Sequence, residues 1–298
     1  MEFKQLEAFV NVVKLKSFSK AAEATFLTQP TISTHINMLE KELGVTLIDR
    51  HGKESRPTKE GRAFYNYAIN ILNTRERAVA KLGDFANEIS GTLDIKTSTI
   101  PGEFIVPSIV AKFNAEFPNA RFNIEESDSE KVCNDILDNL GEIGFTGKES
   151  SNNLKYELIL QDKLVLITPD NEKFRAIKEG INYVTVGDIK DEMFILREDG
   201  SATKKTFEDA ISQKYGISEL KVFASVNSIE AVKKYVALGL GVSVLSEVCV
   251  DENQGYLFFE FGDLDLLRNF YMVYNKNTTL SPIAHRFKDF VIERIANV

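Results

Sequence analysis

Thr31, Ser33, Thr34, His35, Asn37 and Met38 share one side of a helical repeat. They are short donors and acceptors with one methyl-bearing tip, the set that bonds to base edges when a helix lies in the major groove. A helix built only to face solvent more often carries Lys and Glu. Between Glu23 and Glu40 there is no acidic residue, so nothing along that side repels phosphate. The chemistry these residues could do is therefore sequence reading rather than bond making.

The elements that must position them are legible nearby. Thr28 can cap the helix, Pro30 falls in its first turn, and Gly44 sits just past its end. Ile32, Ile36, Leu39 and Leu43 recur at steps of four, three and four, predicting one apolar stripe opposite the polar side. A shorter preceding helix is capped by Ser19 on this reading, and Ala21, Ala22 and Ala24 allow close approach. Leu6, Phe9, Val10 and Val13 give the stripe of a first helix, completing a three-helix core. After Gly44, Thr46–Arg50 and Ser55–Thr58 read as two short strands around His51-Gly52-Lys53-Glu54. Arg50, Lys53 and Arg56 would lie along that wing, within reach of phosphate or the minor groove. A small helical bundle with no nucleic-acid role is the alternative, and pattern alone does not discard it.

The run AAEATFLTQPTISTHINMLEKELGVTLIDRHGKESRPTKEG resembles the N-terminal signature of LysR-type transcriptional regulators. The resemblance extends to the length and layout of the whole chain. It implies an α/β protein with an N-terminal winged helix-turn-helix (1–58), a dimerising linker helix (59–90) and a C-terminal effector domain (91–298). That last domain would be two-lobed, like periplasmic binding proteins, with lobe I at 91–161 and 268–298 and lobe II at 162–267. Carried onto matching positions, Thr28, Gln29, Pro30, Thr31, Ser33, Thr34 and His35 would face the groove, and Arg50 and Lys53 the DNA backbone. Glu54 stands where the family often has a second basic residue, which weakens the expected wing contact. The implied partners are double-stranded promoter DNA, a small-molecule effector, a second copy through the linker, two further copies in a tetramer, and RNA polymerase. No cofactor is implied.

Charge and length fit that layout. A chain of 298 residues calls for two or three domains, and its net charge of −8 is no general nucleic-acid attractor. The first 57 residues hold eight Lys/Arg against seven Asp/Glu, so the acidic excess lies behind the reading head. Cys133 and Cys249 are far apart in apolar stretches and read as buried small hydrophobes. No signal peptide and no membrane-length apolar run appears, which predicts a soluble cytoplasmic protein.

From Thr58 to Ile89 no proline occurs. Phe64, Ala68, Ile71, Arg75, Ala78, Leu82, Phe85 and Ile89 follow at alternating steps of four and three, the period of a coiled-coil seam. Such a helix would run roughly 45 Å at 1.5 Å per residue. It needs a covering partner, either a second chain or its own domain.

Beyond residue 91 strand-like and helix-like patterns alternate, predicting parallel or mixed sheets covered by helices. Ligands in such sheets sit at strand carboxyl ends against helix N-termini. Hydroxyls fall at three such places: Thr97-Ser98-Thr99, Thr146, and Ser201 with Thr203; Ser228 can cap a further helix. That set suits a small anion or carboxylic acid, although each residue alone could be an ordinary cap. The loop TSTIPGEFIVP, including Ile100, resembles that of regulators of sulfur, cysteine or selenium metabolism, which makes a sulfur oxyanion or acetylated serine a candidate effector.

Enzyme chemistry is not visible. His35, His51 and His285 are scattered, and no HExxH, Walker loop, GxSxG or metal-spaced Cys/His set occurs. GLGVSV at 239–244 follows a helix and enters a strand, the reverse of a dinucleotide loop. A plain solute-binding protein would lack the winged head.

Overall fold

The computed structural model describes residues 1–50, 54–82, 89–216, 220–251 and 254–295. They form two compact units. The first comprises residues 1–99, 107–157 and 272–298, the second 100–106 and 158–271.

The head begins the first unit. Helix α1 (Phe3–Leu15) and helix α2 (Phe18–Ala24) precede α3 (Gln29–Leu43), strands β1 (Ile48–Asp49) and β2 (Arg56–Pro57), and α4 (Lys59–Leu82). Its core is Leu6, Phe9, Val12, Ile32, Ile36 and Leu39 with Tyr65 and Ala68, all buried. Two sequence expectations change here. The cap of α2 is Ser17, which accepts the Lys20 N–H, whereas the Ser19 hydroxyl donates to Gln29 Oε1 at 3.2 Å. Leu43 is 37% exposed, so the buried stripe of α3 ends at Leu39.

The start of α4 fits against the wing with no room to spare. Thr58 donates its N–H to the Leu47 carbonyl at 2.9 Å, and its hydroxyl to the Thr46 carbonyl at 2.7 Å. A Cβ on Gly61 would stand 2.0 Å from the Leu47 carbonyl oxygen, so only glycine lets the helix lie this close. The predicted seam is partly spent within the chain. Phe64 lies 5.6 Å from the Phe9 ring, Ala68 is buried, and Ile71 packs on the same core. Arg75 reaches Glu7 at 3.2 Å and covers the Phe3 ring. Periodicity reported a buried face; the coverer of its first half is α1. The Leu82 side chain and Phe85 lie outside the described residues, and Ile89 follows the end of the helix.

The rest of this unit is a layered α/β body. Strand β3 (Gly91–Ser98) is followed by a π-helical turn at Pro101–Ile105 (in the second unit), then α5 (Val106–Glu116), β4 (Ala120–Ser127), α6 (Ser129–Leu137) and β5 (Ile143–Thr146). Both β4 and β5 pair parallel with β3. Phe113 is the centre of an aromatic cluster with Phe117, Phe122, Phe287 and Phe290. Linker and body are joined by amides: Asn73 donates to the Thr279 carbonyl at 2.6 Å, and Asn70 accepts the Thr279 N–H at 2.6 Å.

The second unit is built on β6 (Leu154–Pro169), which leaves the first unit after Glu157. There follow α7 (Glu172–Gly180), β7 (Tyr183–Val184), α8 (Val186–Ile189), β8 (Phe194–Arg197), α9 (Ala202–Tyr215), β9 (Val222–Val226), α10 (Ile229–Ala237), β10 (Ser243–Ser246) and β11 (Tyr256–Phe261). Strand β12 (Leu267–Asn275) returns the chain to the first unit, where α11 (Pro282–Ile295) closes it. Strands β10 and β11 both pair antiparallel with β6, and β8 pairs parallel with β9. Cys133 and Cys249 are buried, one in each unit, and burial pushes the Cys249 thiol up to about 12.

Candidate nucleic-acid interface and effector site

The third helix carries the polar side. Its Thr28 cap accepts the Thr31 N–H, and the two threonine hydroxyls lie 2.8 Å apart. Gly44 closes the other end with φ of +70°, as the left-handed cap requires. Thr28, Gln29, Pro30, Thr34, Asn37 and Met38 are exposed, and Thr31, Ser33 and His35 are half-buried at the margin. Thr34 turns its hydroxyl back to the Pro30 carbonyl at 2.9 Å, which leaves its methyl outward.

Arg50 does not extend away along the wing. Its guanidinium folds over α3, donating to Asn37 Oδ1 at 2.6 Å and Ser33 Oγ at 3.3 Å, with the Phe18 ring 5.0 Å away. One cation thus stands in the middle of the polar side, held by the residues expected to read bases. Glu40 fastens the wing: its Oε1 accepts the N–H groups of Leu47 and Ile48 at 2.7 and 3.1 Å, and its Oε2 lies 3.4 Å from Arg50. Lys53, with His51 and Gly52, lies outside the described residues. Phe26, which sequence reasoning passed over, is 96% exposed in the turn before α3 and holds φ of +55°. Nothing in the pattern marks it, because left-handed backbone is a property of the turn rather than of phenylalanine.

The hydroxyl residues of the effector domain fall into two sets. In the first unit, Thr97 and Ser98 end β3, where Ser98 pairs across to Ser127, and Thr146 ends the adjoining β5. Thr97 bonds to the Ser98 carbonyl, and Thr146 accepts the Lys148 N–H at 3.2 Å. Thr99 follows the strand at an intermediate depth, and Ile100 is packed in the core of the second unit.

In the second unit, Ser201 caps α9 and Ser228 caps α10. Buried Thr203, in the first turn of α9, accepts a hydrogen bond from Arg268 Nη1 at 2.8 Å. Arg268 stacks 4.5 Å over Phe270, and burial pulls its guanidinium down while Asp162 opposes the shift. Sequence reading missed Arg268 because its partner is 65 residues away. A guanidinium beside the amino end of a 14-residue helix is a setting for an anion.

Two family models match the chain. Residues 3–62 match the bacterial regulatory helix-turn-helix protein of the lysR family, and residues 86–296 match the LysR substrate binding domain. The chain belongs to the LysR family. It is a DNA-binding transcriptional regulator with an effector-binding domain, and its relatives are regulators rather than enzymes.

An HTH-type transcriptional regulator of Methanocaldococcus jannaschii is 34% identical over 96% of both chains. The transcriptional activator CmpR of Synechocystis is 28% identical over 96% of this chain and 93% of its own. Among solved structures, full-length OxyR C199D from Pseudomonas aeruginosa superposes with a TM-score of 0.76 at 18% identity, covering 99% of this chain and 97% of its own. CbnR complexed with its target DNA gives 0.57 at 19% identity, over 98% and 99%. These likenesses bear on fold. Among the described residues no helix of this LysR regulator is long and apolar enough to cross a membrane.

Proposed function

We propose that this LysR regulator reads its promoter, in the cytoplasm, through residues 1–58, with Ser33, His35 and Asn37 at base edges and Thr28, Gln29, Pro30, Thr31 and Thr34 beside them. The observation that carries this is the Arg50 guanidinium, held by Ser33 and Asn37, with Glu40 at 3.4 Å, on the polar side of the helix. A cation pre-set there can release its internal partners to a guanine edge or a phosphate at little ordering cost. Lys53 then contributes a sequence-independent phosphate contact. Selecting operators from a random library with wild type and with Arg50→Ala tests this. A narrower motif for wild type supports it; identical motifs refute it.

The protein dimerises, on this reading, through residues 59–90, and pairs of dimers form tetramers through residues 91–298. The free face of α4 supports the first part: Ala63, Tyr67, Thr74 and Ala78 are exposed at helical spacing, Tyr67 by 68%. Two heads then meet two half-sites.

The effector is a small anion, a sulfur oxyanion or small carboxylic acid, and the residues assigned to it are Thr97, Ser98, Thr99, Ile100, Thr146, Ser201, Thr203 and Ser228, with Arg268 beside Thr203. Its differential affinity for two arrangements of the chain shifts their populations, and with them promoter bending and contact with RNA polymerase. Thermal-shift titration with sulfate, thiosulfate, acetate and O-acetylserine tests the class. Ser98→Leu with Thr203→Leu removes the response and leaves operator affinity unchanged; an unchanged response in that variant refutes the site.

A further inference from the structure

Within the first unit, α1 of the head, α4 of the linker and the body of the effector domain enclose a cavity of about 130 Å3. Four of its groups are ionisable: Lys14, Tyr65, Asp94 and Glu142. Lys14 is committed to Asp94, whose other oxygen accepts from Asn123 at 2.9 Å. Glu142 receives only neutral donors, the N–H and hydroxyl of Ser281 at 2.7 Å each and the Asn73 amide at 3.4 Å. Among the described residues no ion pair reaches Glu142. Tyr65, 4% exposed, also lines the cavity, and its buried hydroxyl has no hydrogen-bond partner.

Both features are costly unless something occupies the space. An unpaired buried hydroxyl forfeits the hydrogen bond it makes to water when unfolded, and a carboxylate without a direct ion-pair partner is disfavoured in a low-dielectric site. Burial pushes the Glu142 carboxyl up, against the opposing pull of its Ser281 bonds and of Lys14, and burial beside Asp94 pushes the Tyr65 hydroxyl up.

We propose that this cavity binds a small organic cation, an ammonium on a short apolar body, at a site separate from that of the anionic effector. Two carboxylates face one lysine there, so the site is a cation short and repels anions. An ammonium offers three donors, enough for Glu142, Asp94 and the Tyr65 oxygen. Val10, Ile69, Leu140 and Leu280 supply apolar wall, which suits a hydrocarbon body and not a bare alkali ion. The volume is close to that of a roughly 150 Å3 cavity able to hold benzene, so a body of about four to six carbons fits. Because the walls come from head, linker and effector domain, such a ligand ties the three together.

Calorimetric titration of the full-length protein with n-butylammonium, 1-butanol, butyrate and potassium, at matched ionic strength, tests this. Butylammonium binds once per chain, butanol at least tenfold more weakly, and butyrate and potassium not at all. Tyr65→Phe and Glu142→Gln each weaken butylammonium at least tenfold. Tyr65→Phe deletes only an unpaired oxygen, so its melting temperature without ligand stays level or rises, and a folded variant remains to be titrated. The proposal is overturned if wild type gives no saturable heat, if butanol matches butylammonium, or if both variants bind as wild type does.

Discussion

Gly61→Ala sets two effects of opposite sign against each other. Position 61 is inside α4, where alanine is favoured over glycine by about 1 kcal/mol. The new Cβ would stand 2.0 Å from the Leu47 carbonyl oxygen and 3.0 Å from its carbon, backbone atoms that no rotamer change can move. Restoring contact at roughly 3.5 Å takes about 1.5 Å of displacement between helix and wing. Overpacking of this kind costs about 1–3 kcal/mol, and the two Thr58 bonds to Leu47 and Thr46 add about 1 kcal/mol each if they break. Propensity loses, and we expect a net destabilisation of roughly 2–4 kcal/mol. Gly180→Ala is the control: it lies in α7 with nothing within 4 Å of its Cβ, and gains up to about 1 kcal/mol. Urea unfolding followed by far-UV circular dichroism reads both. A parallel operator titration should show the Gly61 variant weakened, since the wing would shift from α3. A Gly61→Ala protein as stable as wild type would refute the packing argument.

Other expectations are shorter. Phe26→Asn keeps the left-handed turn without a bulky Cβ substituent and removes an exposed ring, so the unfolding free energy rises by about 1 kcal/mol; a loss of stability would mean the ring has a partner. Ser33→Ala with His35→Ala costs about 1–3 kcal/mol per lost base contact on the cognate operator and little on scrambled DNA, as gel shifts would show. Glu142, raised above its unfolded value of roughly 4.3 by burial, binds more protons folded than unfolded, so its contribution is full at low pH and is lost as pH rises through the folded value. Relative to wild type, Glu142→Gln should therefore gain stability as pH rises above the unfolded carboxylate value; urea midpoints that move in parallel would contradict this.

The reading helix was legible because each of its signals is local: Thr28, Pro30, Gly44 and the Ile32-Ile36-Leu39 stripe act within one or two turns. Leu43 obeyed the same spacing and failed, since spacing does not say where the buried stripe ends. Ser17 and Ser19 both suit a cap, and the docking of Phe18 on the head core selects the earlier start. The α4 period revealed a buried face without naming Phe9 as its cover. The α7 segment EKFRAIKEG carries little apolar pattern to read, being mostly charged with only Phe174 buried. Arg268 was invisible for a different reason: its hydrogen bond to Thr203 exists only once the chain has folded back on itself.

The wing of this head is pinned by a carboxylate. Glu40 is the one acidic side chain of α3 that touches the Arg50 cation, and so the obvious target for anyone hoping to tighten grip on DNA by deleting negative charge. Its oxygens are already consumed by two peptide amides and a guanidinium. Removing it would lessen repulsion of the duplex only at the cost of unfastening the hairpin, with Arg50 left to Asn37 and Ser33. Affinity engineering in this regulator has to begin elsewhere on the head.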